Sequence, residues 1–489
     1  MTRRIQQQAF RLTAVAALAL AVVACADMSG IAPSSATLRD GPSLGLSPAG
    51  LSAMDLSTPG INPEWWRGYG DEQLNRLVAQ ALAGNPNLKL AQARLARAQA
   101  VTEVADAALL PQLNASFDAM HQQFTANGLY PPPLGGSVQN TATLQLNGSW
   151  ELDFFGKYRA ALDSALGGVK AAEADAQAAR VLLAANIVRS YFQLGRFNEQ
   201  LAVSRRTLAQ REETLNLVRD RVNAGLDTRL ELRQSEGGLP EARQQIEALQ
   251  EQMALGRNAL AALVGQPGTA DAITAPAVNQ IPVAAPPAAI PLDLLGRRAD
   301  IVAARWRVEA AGKDVDNAKT QFYPNINLTA FAGLSSLGLS RLISSGSEQF
   351  GFGPAIRLPI FDAGRLRANL RGKNSDLDAA VETYNNAVID AVHDVADQLA
   401  SARSIARQQT EQRLAQSAAE GAYEIAVQRY KAGLGNYLNV LTAETSVLNQ
   451  RRLAVDLAAR ALDTQVALVR ALGGGYVPEA PAATNTAQK

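Results

Sequence analysis

Residues that most often carry chemistry are scarce in this chain of 489 residues. It has one cysteine, Cys25, and two histidines, His121 and His393, which predicts no internal disulfide and no His/Cys metal cluster. His393 precedes Asp394, but adjacent residues on a helix do not face each other. The sequence also lacks a Gly-rich phosphate loop, a nucleophile elbow and metal-ligand spacing. We therefore predict neither an enzyme nor a bound cofactor or metal, and we interpret both histidines as surface or packing residues.

The sequence around Cys25 indicates covalent modification instead. Three arginines in the first eleven residues precede an apolar run, residues 12–24, which has the layout of an export signal and is too short for a membrane helix. Val-Val-Ala-Cys resembles the signal of bacterial lipoproteins, in which the cysteine is acylated and becomes the mature N-terminus. An ordinary signal peptide with an incidental cysteine is the alternative. In the lipoproteins that this signal resembles, an aspartate directly after the cysteine retains the protein in the inner membrane. This chain has Ala26 at that position, so the resemblance implies delivery to the outer membrane.

Charge and composition narrow the classes of function. The 46 Lys and Arg residues nearly balance the 45 Asp and Glu residues, which argues against nucleic acid as a partner. Aromatic residues make up only 5% of the chain, few for a large globular core, and helix-forming residue types are abundant. After the signal, no stretch approaches the roughly 20 apolar residues of a membrane helix. Any further membrane crossing must therefore use strands.

Strict alternation of apolar and polar residues predicts a two-faced strand at about residues 142–152. The apolar side chains, expected to face lipid, are Leu144, Leu146 and Trp150. The polar side chains, expected to face water in a barrel lumen, are Gln145, Asn147 and Glu151. Similar alternation predicts three more strands at about residues 112–120, 325–333 and 350–361.

A long helical hairpin follows each pair of predicted strands. The hairpins cover residues 157–264 and 365–472, and the first arm of each has about 67 residues, roughly 100 Å of helix. Their turns lie at Ala224, Gly225 and Leu226, and at Ala432, Gly433 and Leu434. Strand–helix junctions and turns recur at one offset of 208 residues, with six identities in sixteen positions at the turns. This indicates an internal duplication.

The predicted organisation has six parts. They are a lipoprotein signal peptide (1–24), a lipidated flexible tether (25–62), a first structural repeat (63–264), a Pro- and Ala-rich connection (265–297), a second structural repeat (298–472) and a disordered tail (473–489). The family resemblance described below implies that the connection is equatorial. Four strands cannot close a membrane barrel, which needs about eight or more, and open edges in lipid are costly. The chain must therefore oligomerise if the strands cross a membrane. Taken separately, the strands could instead form a soluble β-sandwich, and the helices could instead form a solid coiled coil.

Several segments together resemble the TolC-like outer-membrane factor family, and within it the lipoprotein channels of resistance-nodulation-division efflux systems. They include Trp65–Trp66, 149–156 (SWELDFFG), 293–301 (DLLGRRADI), 322–324 (FYP) and 472–475 (LGGG). The resemblance implies a mainly α fold with membrane β: a homotrimer with four strands per subunit in a twelve-stranded barrel, continued by a periplasmic α-helical barrel. It also implies a periplasmic adaptor that contacts the helix turns, an inner-membrane pump of the resistance-nodulation-division class, and outer-membrane lipid as partners.

The predicted function is a passive exit duct for small toxic compounds or drugs across the periplasm and outer membrane. Two alternatives stay open: the duct of a type I protein secretion system, and a lipid-anchored periplasmic coiled-coil adaptor. A duct open at both ends would breach the membrane barrier, so it needs a constriction at the helix turns. By resemblance, Tyr430 and Leu438 match two residues of such a gate, whereas Thr442 replaces an acidic residue. We therefore expect Leu438 to form the constriction, with the alternative that it only packs within the hairpin.

Overall fold

A computed structural model describes residue 28 and residues 30–39, 61–283 and 298–476. The expected signal peptide and the lipidation site Cys25 lie outside the described residues, as do parts of the expected tether, connection and tail. The described residues form seven α-helices and four β-strands. In chain order they are α1 (Glu72–Gly84), α2 (Pro86–Ala107), β1 (Gln112–Gln123), β2 (Val138–Glu151), α3 (Lys157–Asn223), α4 (Arg229–Val264), α5 (Ala299–Thr320), β3 (Asn325–Leu337), β4 (Glu348–Arg357), α6 (Arg365–Lys431) and α7 (Tyr437–Ala471).

The two long helices match the sequence prediction. α3 and α6 each have 67 residues, and each begins and ends where the composition predicts. Neither contains proline, which would remove a helix hydrogen bond and clash with the preceding turn. Within the described part of the chain, no helix has both the length and the apolar character that crossing a membrane requires.

The part of the chain that the structure describes divides into two compact units, and the bounds below refer to that part alone. The first, here called the sheet unit, comprises Met1–Leu38, Leu95–Ala172 and Ala304–Tyr384. The second, the hairpin unit, comprises Arg39–Arg94, Glu173–Ala303 and Asn385–Lys489. The long helices contribute residues to both.

The sheet unit contains one antiparallel sheet in the order β1-β2-β3-β4. Its register places Leu146 opposite Ala115 and Ala332, and places Ala330 opposite Phe352. Since side chains alternate across a strand, this pairing joins the apolar sides of all four strands into one face. Phe350 and Phe352 on that face are 81% and 84% exposed. The predicted two-faced pattern therefore extends over the whole sheet.

Three of the strands run further into their connections than the alternation predicted. β1 and β2 pair as far as Gln123 opposite Val138, and β3 continues to Leu337, because hairpin pairing satisfies backbone groups whatever side chains they carry. β4 is shorter than predicted and ends at Arg357. Pro359 lies two residues further on. Proline has no amide hydrogen to donate to a neighbouring strand, and it restricts the backbone of the preceding Leu358.

The expected flexible tether is wrong for residues 31–36, which lie against α6. One carboxylate oxygen of Asp378 accepts three hydrogen bonds: from the hydroxyl of Ser34 at 2.8 Å and from the backbone amides of Ser35 and Ala36 at 2.9 Å. Ile31 also packs against a buried cluster of α5 and α6 that includes Phe322. The Ser, Pro and Ala composition suggested a free segment, but its hydrogen-bonding groups have partners on the helix.

The hairpin unit has the larger core. Tyr191 and Phe192 of α3 are 2% exposed and pack with residues of α1, α4 and α7. A separate cluster lies between the ends of the two long hairpins, where Val218, Tyr430, Tyr437 and Val440 are buried together. The second cluster contains one of the predicted gate residues and defines the site described next.

Candidate functional site at the paired helix turns

The two long helices end in the same tight turn. Gly225 and Gly433 have φ angles of 72° and 75°, a left-handed conformation that disfavours any side chain. In each turn the residue after the glycine donates its amide to the carbonyl five residues earlier, at 2.8 Å. The glycine amide also donates to the carbonyl three residues earlier. Both turns are therefore Schellman caps, which satisfy the last carbonyls of the long helices.

Side chains cap the helices that return from these turns. Thr228 accepts the amide of Leu230 at 3.1 Å, and the carboxylate of Glu231 accepts the amide of Thr228 at 2.9 Å, which completes a capping box at the start of α4. Asn436 caps α7 by accepting the amide of Asn439 at 3.1 Å. The turn residues expected to contact an adaptor are all exposed: Ala224, Gly225, Leu226, Ala432, Gly433 and Leu434.

Three polar side chains, here called the tip latch, connect the two turns: Arg221, Asp227 and Tyr430. Arg221 Nε lies 2.8 Å from Asp227 Oδ2, and the buried phenol of Tyr430 donates to the same oxygen. Arg221 also donates through Nη1 to the Tyr430 carbonyl at 3.0 Å, and its guanidinium carbon lies 4.6 Å from the centre of the Tyr430 ring. The latch therefore joins the end of the first hairpin to the end of the second by charge, hydrogen bonds and ring contact.

The latch controls the protonation of its own members. Burial by itself would raise the pKa of Asp227, but hydrogen bonds from Arg221 and Tyr430 and the charge of Arg221 lower it below the usual value for an aspartate. Burial and the hydrogen bond to Asp227 raise the pKa of the Tyr430 phenol, so it keeps its proton and remains a donor. Asp227 is thus held as the common acceptor of both neighbours.

A second charged cluster connects α3 to α4 and α7. Arg211 Nε lies 3.1 Å from Glu444, and Arg211 Nη1 lies 2.9 Å from Glu241 and donates to the carbonyl of Gly238 at 2.7 Å. Burial raises the pKa of Glu444, and the charge of Arg211 opposes that rise. α4 is helical through Pro240, two residues beyond this carbonyl. Arg211 therefore holds α4 against α3 and α7 near Pro240, where proline removes one helix hydrogen bond.

The predicted gate residues have different environments. Tyr430 is fully buried, whereas Leu438 is 59% exposed near the start of α7. Thr442 is exposed and donates its hydroxyl to the carbonyl of Leu438 at 2.9 Å within that helix. Leu438 is therefore available to a partner outside this chain, and Tyr430 acts inside the latch.

Sequence reasoning missed Arg221 and Asp227 as members of this site. One signal could have identified Asp227: at the corresponding position of the second turn, 208 residues later, the chain has Gly435. Because the second turn forms without a carboxylate at this position, the carboxylate of the first turn is not needed to form the turn and indicates another role. Its partner Tyr430 is 203 residues away in the sequence, so the pair was not recognisable by spacing.

The predicted lumen residues share one face of the sheet. Gln145 accepts the side-chain amide of Gln349 at 2.9 Å, and Asn147 donates to Ser116 at 3.3 Å. Glu151 lies at the end of β2, 2.8 Å from Lys157 Nζ and 2.6 Å from the Tyr158 hydroxyl. Polar side chains on this face are thus bonded to one another across strands. Leu144 and Leu146 on the opposite face remain about half exposed.

Comparison with known proteins agrees with this architecture. A family model described as outer membrane efflux protein matches residues 77–266 and 290–474. The fusaric acid resistance protein FusA of Burkholderia cepacia is 39% identical over 370 residues, which cover 74% of this chain and 69% of that protein. The toluene efflux pump outer membrane protein TtgF of Pseudomonas putida is 32% identical over 412 residues, 84% of this chain and 85% of that protein.

Solved structures show the same fold. The outer membrane protein VceC of Vibrio cholerae superposes with a TM-score of 0.80 at 37% identity, covering 86% of this chain and all of that one. The match to the family model includes most of both repeats, in which the sheet strands and the paired turns are found. The chain therefore belongs to the outer membrane efflux protein family and acts in efflux at the outer membrane.

Proposed function

We propose that three copies of this chain form a passive exit duct for small toxic compounds, the outer-membrane part of a tripartite efflux pump. Their sheets join into a twelve-stranded barrel in the outer membrane, and their long helical hairpins continue it through the periplasm. An inner-membrane pump supplies the energy and a periplasmic adaptor links it to the duct. The chain itself has no catalytic role and needs no cofactor.

The observation that carries this proposal is the exposed apolar face of the four-stranded sheet. Burying apolar area stabilises a protein by about 25 cal/mol per Å², so large exposed rings such as Phe350 and Phe352 need a nonaqueous neighbour. Among the described residues, no strand pairs with the outer edge of β1 or of β4. Since unpaired backbone groups in lipid cost several kcal/mol each, copies of the sheet must pair edge to edge. Gln145, Asn147 and Glu151 then face the water-filled lumen.

The paired turns support a gate at the periplasmic end. We infer that the tip latch holds the two hairpins of one subunit together, and that Leu438 side chains from three subunits meet at the axis of the closed duct. An apolar constriction of this kind blocks ions by dewetting. Thr442 lies one helical turn further along α7 and contributes no charge. The exposed turn residues, Leu226 and Leu434 among them, are the proposed contacts with the adaptor.

We also propose that Cys25 carries the lipid and that this anchor is accessory, because the barrel itself holds the protein in the membrane. A single acyl chain binds membranes reversibly, and further chains add little to an inserted barrel. With a non-lipoprotein signal and Cys25→Ser, the protein should still fractionate with the outer membrane. Loss from that fraction would show the anchor to be essential.

A pair of arginine substitutions on neighbouring residues of β2 tests the barrel. Leu146→Arg would put a charge on the lipid side near the middle of the strand, at a cost of roughly 2–4 kcal/mol, and should reduce assembly of heat-modifiable trimers. Gln145→Arg is the matched control, because its side chain would enter the lumen. Equal loss of trimer in both variants would refute the assigned faces and with them the proposed barrel.

A further inference from the structure

A cavity lies in the sheet unit where the strands end and the long helices begin. Its volume is about 420 Å³, within the range of small-molecule sites. Side chains of Phe155, Lys157, Tyr323 and Arg357 line it, together with Glu151. The strand register places Arg357 opposite Asn325, on the same face as Gln145. In the duct proposed above, on which this inference rests, the cavity therefore faces the lumen.

Among the described residues, the charged groups that line the cavity leave one cation, Arg357, without a partner, whereas Arg365 Nη2 lies 4.0 Å from Asp362 Oδ2. The carboxylate of Glu151 already accepts hydrogen bonds from Lys157 Nζ at 2.8 Å and from the Tyr158 hydroxyl at 2.6 Å. Asp153 accepts the backbone amides of Tyr158 and Arg159 at the start of α3. Arg357, by contrast, forms no side-chain hydrogen bond or ion pair with any residue that the structure describes, and it is exposed. Its guanidinium is therefore available to an anion.

An aromatic wall completes the cavity. The rings of Phe155 and Tyr323 are stacked, with centroids 4.9 Å apart and planes inclined by 13°. Phe155 remains 41% exposed, so part of its ring can contact another molecule. Aromatic rings pack well on such surfaces, and an arginine guanidinium matches the geometry of a carboxylate.

We propose that this cavity binds aromatic carboxylates, with the carboxylate on Arg357 and the ring against Phe155 and Tyr323. Arg357 repels organic cations, and aliphatic anions gain only the charge interaction. Binding at about millimolar concentrations fits a duct, since a strong site would retain its cargo. The site thus adds a preference for one class of small molecule to an otherwise passive conduit.

Saturation-transfer NMR on the full-length protein in detergent tests the site without requiring a conducting channel. The probes are benzoate, benzylammonium and cyclohexanecarboxylate. We expect benzoate to bind the most tightly. Arg357→Gln should raise its dissociation constant about tenfold, as expected for loss of a charge-assisted hydrogen bond, and Phe155→Leu should raise it about threefold.

Arg341→Gln, which makes the same charge change in the connection between β3 and β4, is the control and should leave benzoate binding unchanged. Retained trimer mobility in each variant shows that the change is local. Equal binding of benzoate and benzylammonium, or benzoate binding unaffected by Arg357→Gln, would overturn the proposal.

Conductance of the same protein in planar bilayers separates this inference from the proposed duct. Protein that conducts but does not bind benzoate preferentially refutes the aromatic carboxylate site and leaves the duct intact. Protein that binds benzoate through Arg357 but never conducts refutes the duct and leaves the binding site. In conducting channels, benzoate should lower the current of the wild type more than that of Arg357→Gln.

Discussion

The two helix turns have nearly the same backbone and very different side chains. Both are Schellman caps around a left-handed glycine, and the hydrogen bonds that close them agree within about 0.1 Å. In the first turn Arg221 is mostly buried and pairs with Asp227. In the second turn Arg429 occupies the corresponding position and is exposed, and within the described part of the chain its side chain donates only to the backbone carbonyl of Leu434, at 3.2 Å.

The difference shows how duplicated elements become complementary. The first turn has the carboxylate Asp227 where the second has Gly435, and the second has Tyr430 where the first has Val222. Each turn keeps the backbone that ends its helix and supplies one half of the tip latch. A chain with two identical turns would have two carboxylates without the phenol, or two phenols without the carboxylate. Divergence at these positions therefore creates the tip latch, which adds to the buried apolar cluster and the Arg211–Glu444 pair between the hairpins.

The largest expected effect on this comparison comes from Asp227→Ala. It would leave the mostly buried Arg221 without its partner, and breaking such a pair costs about 3 kcal/mol. Amide hydrogen exchange around residues 221–230 should accelerate about 100-fold, and resting conductance should rise. Gly435→Ala, at the corresponding position of the second turn, is the control, because an added Cβ there meets no atom closer than 3.6 Å. Exchange that is the same in both variants would mean that the latch contributes nothing.

Acid should weaken the first turn through the same carboxylate. Because the pKa of Asp227 is lowered in the folded protein, its stabilisation is present above the ordinary aspartate pKa of about 3.9 and is lost as pH falls through the lower folded value. Channel conductance should therefore stay constant from pH 7 to pH 5 and rise only below about pH 4. Asp227→Asn should abolish this dependence. A rise that begins above pH 5 would indicate another titrating group.

A third test compares two leucines at matched positions after the turns. Leu438 and Leu230 are 59% and 63% exposed, so replacing either with alanine should change stability by less than about 0.5 kcal/mol. If only the second turn lines the constriction, Leu438→Ala should raise resting conductance and Leu230→Ala should not. Single-channel recording with verified trimers decides between them. Unchanged conductance in Leu438→Ala would locate the gate elsewhere.

The smallest effect should come from giving the second turn the carboxylate of the first. Gly435→Asp would place an acidic group near Arg429, but this arginine is exposed, and exposed ion pairs contribute at most about 1 kcal/mol. Thermal stability and amide exchange around residues 429–438 should therefore change little. A gain as large as the loss in Asp227→Ala would show that the local turn, rather than burial by the neighbouring hairpin, sets the strength of the pair.

Much of the fold was predictable because its signals are local. The absence of proline over 67 residues, the glycine of each turn and the alternation along each strand are properties of short segments, and the helices α3 and α6 formed as predicted. The exposed apolar face also follows from alternation, since side chains on a strand point to opposite sides. The repeat of all these elements 208 residues later strengthened each prediction.

What the sequence determined by itself was thus the type, order and duplication of the elements, and the two faces of the sheet. Tertiary structure alone decided which side chains meet. Asp227 and Tyr430 are 203 residues apart, and Ser34 lies 344 residues from Asp378. Arg357 is recognised as having no partner among the described residues only once the structure shows that Glu151 pairs with Lys157. The physical reason is that propensity and periodicity act within a few turns or strand residues, whereas these contacts form only when distant segments pack and exclude water.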